Sequence, residues 1–138
     1  MHPTPGELVK RYGLHLKKAN LSEILELYTT DAEIIPDGLA SLAGTANIRQ
    51  FYEHTFASIA INGELQVLSE QVYQDVAVVR CEEPADILDK TSGAVLKTYF
   101  REVFILEKTA ADWKIKTYMF SQNPEQNVVA KEPLTPAL

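Results

Sequence analysis

Apolar residues fall at helical spacing through the first sixty positions and then switch to strict alternation. Leu8, Tyr12, His15 or Leu16, and Ala19 lie three or four residues apart, the spacing that lines one helix face. Pro5 marks the start, because proline is accommodated in a first helical turn, and Asn20 marks the end. Leu21, Ile24, Leu25 and Tyr28 form a second, shorter stripe, with Ser22 as a local cap. A short strand over residues 32–35 runs into the turn Pro36-Asp37-Gly38. Gly44-Thr45 opens a third helix with the inward stripe Ile48, Phe51, Tyr52, Thr55, Phe56 and Ile59, and Asn62-Gly63 closes it.

From residue 65 the period is two. Leu65, Val67 and Ser69 alternate with Gln66, Leu68 and Glu70. After the turn at Gln74-Asp75, residues 76–82 read as a strand that Glu83-Pro84 interrupts, and residues 85–90 fit more than one state. Thr91-Ser92-Gly93 is a turn, 94–108 a long strand, and 113–123 the last strand. Helices first and antiparallel strands second is an α+β order. A curved sheet wrapped around the helices makes a cone whose open mouth suits a small ligand. Residues 1–124 read as a single domain, and 125–138 as a proline-containing tail, loose or laid on a neighbour.

Charge and composition then narrow the function. The 138 residues carry a net charge of −6, which disfavours nucleic acid and anionic membrane, since both require a basic field. Cys81 is the single cysteine, so no intramolecular disulfide can form, and His2, His15 and His54 lack metal-ligand spacing. No metal and no organic cofactor is expected. There is no leader-like apolar run and no spanning-length segment, so a soluble, cytoplasmic protein is expected.

The run Leu27-Tyr28-Thr29-Thr30-Asp31-Ala32 leads into Pro36-Asp37-Gly38 and then Gly44-Thr45-Ala46-Asn47-Ile48-Arg49-Gln50-Phe51-Tyr52. With the ending from Trp113-Lys114-Ile115 to Ser121-Gln122-Asn123-Pro124, it resembles the nuclear-transport-factor-2-like superfamily, in its SnoaL-like and ketosteroid-isomerase-like branch. The resemblance implies a cystatin-like cone of three N-terminal helices packed in a strongly curved, mixed, mostly antiparallel sheet. It also implies a small hydrophobic ligand. It does not choose between acid–base chemistry of isomerase, cyclase or hydrolase type and a non-catalytic binding or oligomerisation module, because one fold hosts many functions. Carried over by position, it makes Tyr12 an oxyanion donor and Glu102 the second donor. The position of the family's base falls on Pro36, which cannot accept a proton, and Asp37 follows it.

The residues themselves leave alternatives open. Glu102 shares a strand face with Phe100 and Phe104, where lost hydration raises a carboxyl pKa, but a one-residue slip in register would turn it outward. Tyr12 is either a pocket donor or a core aromatic with a satisfied hydroxyl. Asp37 is either a catalytic acid or turn chemistry. His15, one turn after Tyr12, is either a base or a helix-flanking residue; His54 reads as surface. Arg49 and Arg101 raise an Asp-Arg-Asp relay around a water, for which Asp86 and Asp89 give no clean match. Leu16, Phe51, Tyr52, Phe56, Phe100, Phe104, Tyr118 and Phe120 are expected as core and pocket wall, and Cys81 as a buried small hydrophobe. Tyr99, Val103 and Ile105 make the other strand face apolar as well. That predicts a second copy packed sheet against sheet, a homodimer.

Overall fold

The structure is a computed structural model and describes residues 2–123; the tail expected at 125–138 lies outside the described residues. The elements in chain order are α1 (Pro5–Lys18), α2 (Leu21–Glu26), β1 (Tyr28–Ile35), β2 (Leu42–Ala43), α3 (Thr45–Ser58), β3 (Ile59–Gly63), β4 (Gln66–Tyr73), β5 (Val76–Asp89), β6 (Val95–Thr109) and β7 (Asp112–Gln122). The sheet runs β2-β1-β7-β6-β5-β3, with β4 also paired to β5. Among the described residues only the β1–β7 pairing is parallel, which gives the mixed, mostly antiparallel α+β sheet that the resemblance implies. No helix among the described residues is long and apolar enough to cross a membrane.

Local chemistry explains how α1 is held. Thr4 and Glu7 form a reciprocal capping box: Glu7 N donates to Thr4 Oγ1 at 3.2 Å, and Thr4 N donates to Glu7 Oε1 at 2.8 Å. Gly6 N also donates to Glu70 Oε1 at 2.7 Å, tying the helix start to β4. The inward face of α1 buries Leu8, Val9, Tyr12 and Leu16. These meet Ile24, Ile48 and Tyr52 from the other helices and Val79, Cys81, Phe104, Leu106, Trp113 and Ile115 from the sheet.

Three expectations change. The third helix ends at Ser58, and Ile59–Gly63 pairs antiparallel with β5 as a strand. Ile59 and Ile61 fit a helical stripe and a two-residue alternation equally well, and the ladder to β5 decides. Tyr28 belongs to β1, where it pairs with Ile115, and not to the second helix; the N-cap of that helix is Asn20, with Ser22 inside it. Finally, β5 runs unbroken through Glu83-Pro84. On its far edge β5 pairs with β4 up to Glu82 and with β3 from Ala85. Pro84 falls where the strand changes partners, so its missing N–H breaks neither ladder there.

Candidate functional site

Alternation along β5 and β6 aims Cys81 and Glu83, and Thr98, Phe100, Glu102 and Phe104, at the helices. Between them and α1 and α3 lies a cavity of about 260 Å³. Its wall includes Tyr12, Leu16, Phe51, Tyr52, Phe100, Tyr118 and Phe120, all expected from the sequence, together with both inward glutamates. Among the described residues no lysine, arginine or histidine lines it.

One side of the cavity carries a chain of three buried tyrosine hydroxyls. Tyr12 and Tyr52 are hydrogen-bonded at 2.6 Å, and Tyr28 and Tyr52 at 2.7 Å. Burial pushes all three phenols well above their ordinary pKa, so each keeps its proton. Three O–H protons for two bonds leave one donor over. Tyr12 and Tyr52 reach the cavity and Tyr28 does not. Run in the order Tyr28 to Tyr52 to Tyr12, the chain presents the Tyr12 O–H to a ligand; run the other way, the spare O–H is that of Tyr28.

Glu102 lines the same cavity and is 2% exposed. Tyr118 donates its O–H to Glu102 Oε2, while Glu102 Oε1 is buried with no partner among the described residues. Stacking holds this arrangement. Phe104 and Tyr118 lie face to face at 4.3 Å, Tyr12 meets both rings edge-on at 5.4 Å, and Phe120 stacks on Tyr118 at 5.2 Å. Burial raises the Glu102 carboxyl to about 7, with the Tyr118 bond and the charge of Arg80 pulling the other way.

Glu83 is the acid that the sequence reading missed. It is 3% exposed and lines the same cavity, and burial together with the charge of Glu102 raises its carboxyl to about 8. The room it occupies is made by Gly63, where a Cβ would lie 2.5 Å from Glu83 Oε2. The signal was present: extending the alternation Ala77, Val79, Cys81 by one step through Pro84 puts Glu83 inward. Gly63 thus serves a close approach of chain segments and not a helix C-terminus.

The other candidates are placed as follows. Asp37 stands exposed at the cavity mouth, where Gln122 N donates to its Oδ2 at 3.4 Å. His15 is off the wall because Leu16 takes the inward place on α1; its Nδ1 is buried with no partner among the described residues. Phe56 and Phe104 sit behind the wall, Phe56 stacked on Tyr52 and Phe104 between Tyr12 and Tyr118. Arg49 and Arg101 are exposed, Asp86 pairs with Lys97 at 3.4 Å, and Asp89 caps the turn at Thr91 and Ser92. Among the described residues no Asp-Arg-Asp relay reaches the cavity. Cys81 is fully buried, and burial pushes its thiol up.

The architecture has many counterparts. A ketosteroid isomerase-like protein from Erwinia carotovora atroseptica superimposes with a TM-score of 0.80 at 21% identity, covering 83% of this chain and 90% of that one. A protein provisionally named a dehydratase of the NTF2-like family, from Streptomyces avermitilis, gives 0.76 at 17% identity, covering 86% and 92%. A protein of unknown function with a cystatin-like fold from Nostoc punctiforme gives 0.65 at 14% identity, covering 90% and 96%. These similarities establish the fold. No match was found among curated proteins. The sequence profile of the SnoaL-like domain matches residues 7–124, almost the whole of the described structure, and the chain belongs to the SnoaL-like domain family.

Proposed function

We propose that this chain is an acid–base enzyme acting on a small, largely apolar carbonyl compound. The single observation that carries the reading is Glu102 Oε1, a buried carboxyl oxygen with no partner among the described residues, on the wall of an aromatic cavity that Tyr12, at the end of the tyrosine chain, also lines. A neutral phenol donor steadies negative charge on a ligand oxygen, and a carboxyl near neutral pKa exchanges a proton with the adjacent carbon. The family relatives named for isomerase and dehydratase chemistry agree with it. A soluble, cytoplasmic homodimer joined through the outer sheet face, where Met119 is 51% exposed beside Val103 and Ile105, belongs to the same proposal.

The test is ring opening of 5-nitrobenzisoxazole. A base takes its C–H proton, the N–O bond breaks, and the electron pair ends on a coloured phenolate oxygen. The enzyme reading expects acceleration of at least ~100-fold over acetate at equal concentration, lost in Glu102→Gln and reduced in Tyr12→Phe. A rate equal to acetate contradicts it. That result would favour the second reading, a non-catalytic ligand-binding or oligomerisation module. Pro36 at the position of the family's base, with Asp37 exposed beside it, is the observation on that side.

A further inference from the structure

Helix α1 turns one apolar side chain to solvent at the centre of a cationic ring. Leu14 is 58% exposed. The residues three and four positions before and after it are Lys10, Arg11, Lys17 and Lys18, and all four are exposed. Positions three and four apart are neighbours on a helix surface, so the leucine stands among four cations. Helix α1 holds four of the chain's thirteen lysines and arginines against a single acid, Glu7, although the whole chain carries a net charge of −6.

Folding gains little from this arrangement. Lys17 and Lys18 complement the end of the helix in its last turn. Lys10 and Arg11 share the one carboxylate of Glu7, which Thr4 N already holds at 2.8 Å. Among the described residues none of the four cations makes an ion pair or a side-chain hydrogen bond. Leu14 remains in water. Beside it runs a groove of about 400 Å³, with Lys10, Gly13, Leu14 and Lys17 on one side and Gly63, Glu64 and Leu65 on the other. Gly13 and Leu65 are its buried part: a Cβ on Gly13 would lie 2.9 Å from Leu65 Cβ. None of these residues lines the inner cavity.

We propose that this surface docks an acidic segment of a partner protein, with one apolar side chain of that segment in the groove between Leu14 and Leu65 and its carboxylates on the surrounding cations. Charge complementarity names the occupant, and an apolar anchor inside a charged rim is the usual division of labour at a protein interface. In an extended peptide alternate residues share a face. The pattern acid-x-apolar-x-acid therefore sets two carboxylates ~13 Å apart with the apolar side chain between them. Lys10 and Lys17 lie ~10 Å apart along the helix axis, and their long stems reach both. A recessed groove with the Glu64 carboxylate on its far lip suits a peptide side chain better than the broad anionic surface of a bilayer. This proposal does not depend on the enzyme reading.

The experiment is an anisotropy titration of the rhodamine-labelled peptide Asp-Glu-Ser-Phe-Ser-Glu-Asp with the full chain. Saturable binding is expected with a Kd below ~100 μM at ~50 mM salt, weakened at least about tenfold at ~500 mM. Leu14→Ser, and Lys10→Gln with Lys17→Gln, should each weaken it at least about fivefold, as should serine in place of phenylalanine in the peptide. Arg49→Gln with Lys97→Gln, the same loss of charge at exposed positions on α3 and β6, should leave it unchanged. All these positions are exposed, and equal urea midpoints check that the variants fold. Four results would overturn the proposal. One is no saturable binding below ~1 mM at ~50 mM salt. Another is equal affinity in Leu14→Ser, or equal weakening in the Arg49 and Lys97 pair, which would leave only diffuse charge attraction. A third is sedimentation of the chain with phosphatidylserine vesicles when the peptide does not bind, which would make the surface a lipid site. The last is self-association of the parent that Lys10→Gln with Lys17→Gln abolishes, which would make it a contact between copies.

Discussion

Among the described residues two tyrosine–glutamate hydrogen bonds stand out, one on each face of the sheet, and the two glutamates they join differ in charge state. On the outer face Tyr99 donates to Glu82 Oε1 at 2.6 Å, and Arg80 Nη2 lies 2.9 Å from Glu82 Oε2. On the inner face Tyr118 donates to Glu102, and no cation among the described residues touches the carboxyl. The Tyr99 bond, assisted by Arg80, holds Glu82 below the usual carboxylate range, whereas burial lifts Glu102 to about 7. A tyrosine donor alone does not decide whether a glutamate is charged. Dryness does: the Tyr99 bond outweighs burial at Glu82, whereas burial outweighs both the Tyr118 bond and the charge of Arg80 at Glu102.

The largest way to break this contrast is to wet the inner face. Phe104 is fully buried and stacked on Tyr118. Phe104→Ala is expected to cost ~3–5 kcal/mol in urea unfolding and to lower the Glu102 midpoint toward the ordinary value, because water gains access to the carboxyl. Next comes the pH dependence of stability. Glu102 has a folded pKa above its unfolded value of ~4.3, so its ionisation opposes folding. Its favourable contribution is complete below about pH 4 and is lost as pH rises through about 7. Glu102→Gln should therefore gain on the order of 3–4 kcal/mol on the parent between pH 4 and pH 9, read by denaturation at a series of pH values. Glu82 has the opposite sign: its lowered pKa stabilises above ~4.3 and is lost as pH falls below that.

Gly63→Ala sharpens the inner side. The new Cβ would press on Glu83 and lie 2.8 Å from Ala85 Cβ, so a loss of ~1–3 kcal/mol is expected together with a displaced Glu83 signal. The smallest effect belongs to the outer face. Arg80→Ala removes a partly buried ion pair together with the bonds from Arg80 Nη1 to the Cys81 and Glu102 carbonyls, and should cost ~0.5–1.5 kcal/mol and raise the Glu82 midpoint, with the ion-pair part shrinking in high salt.

The helical stripes and the α+β order were legible because each rests on residues a few positions apart. Pro5 opens α1, and Leu8, Tyr12 and Leu16 follow on one face. The strand Ile59–Gly63 was hidden because its isoleucines continue a helical stripe equally well, and only the ladder to β5 separates the two. Within the site, Tyr12 and Glu102 were found through family position. The tyrosine chain was not, since Tyr28 and Tyr52 stand 24 positions apart and meet only after folding. Glu83 was hidden by its neighbour: Pro84 reads as a strand breaker until it is known that β5 changes partners there. The inward direction of Glu102 likewise depends on cross-strand register, which alternation along a doubly apolar strand does not determine.

The measurement that tests the central claim most directly is a carboxyl-carbon titration of the parent protein in which Glu82 and Glu102 are followed together. The account predicts a Glu102 midpoint near 7 and a Glu82 midpoint below ~4.3 in the same sample. A Glu102 midpoint at or below ~4.3 would mean that its carboxyl is solvated or paired with a cation, and would contradict the assignment of a proton-exchanging acid to this cavity.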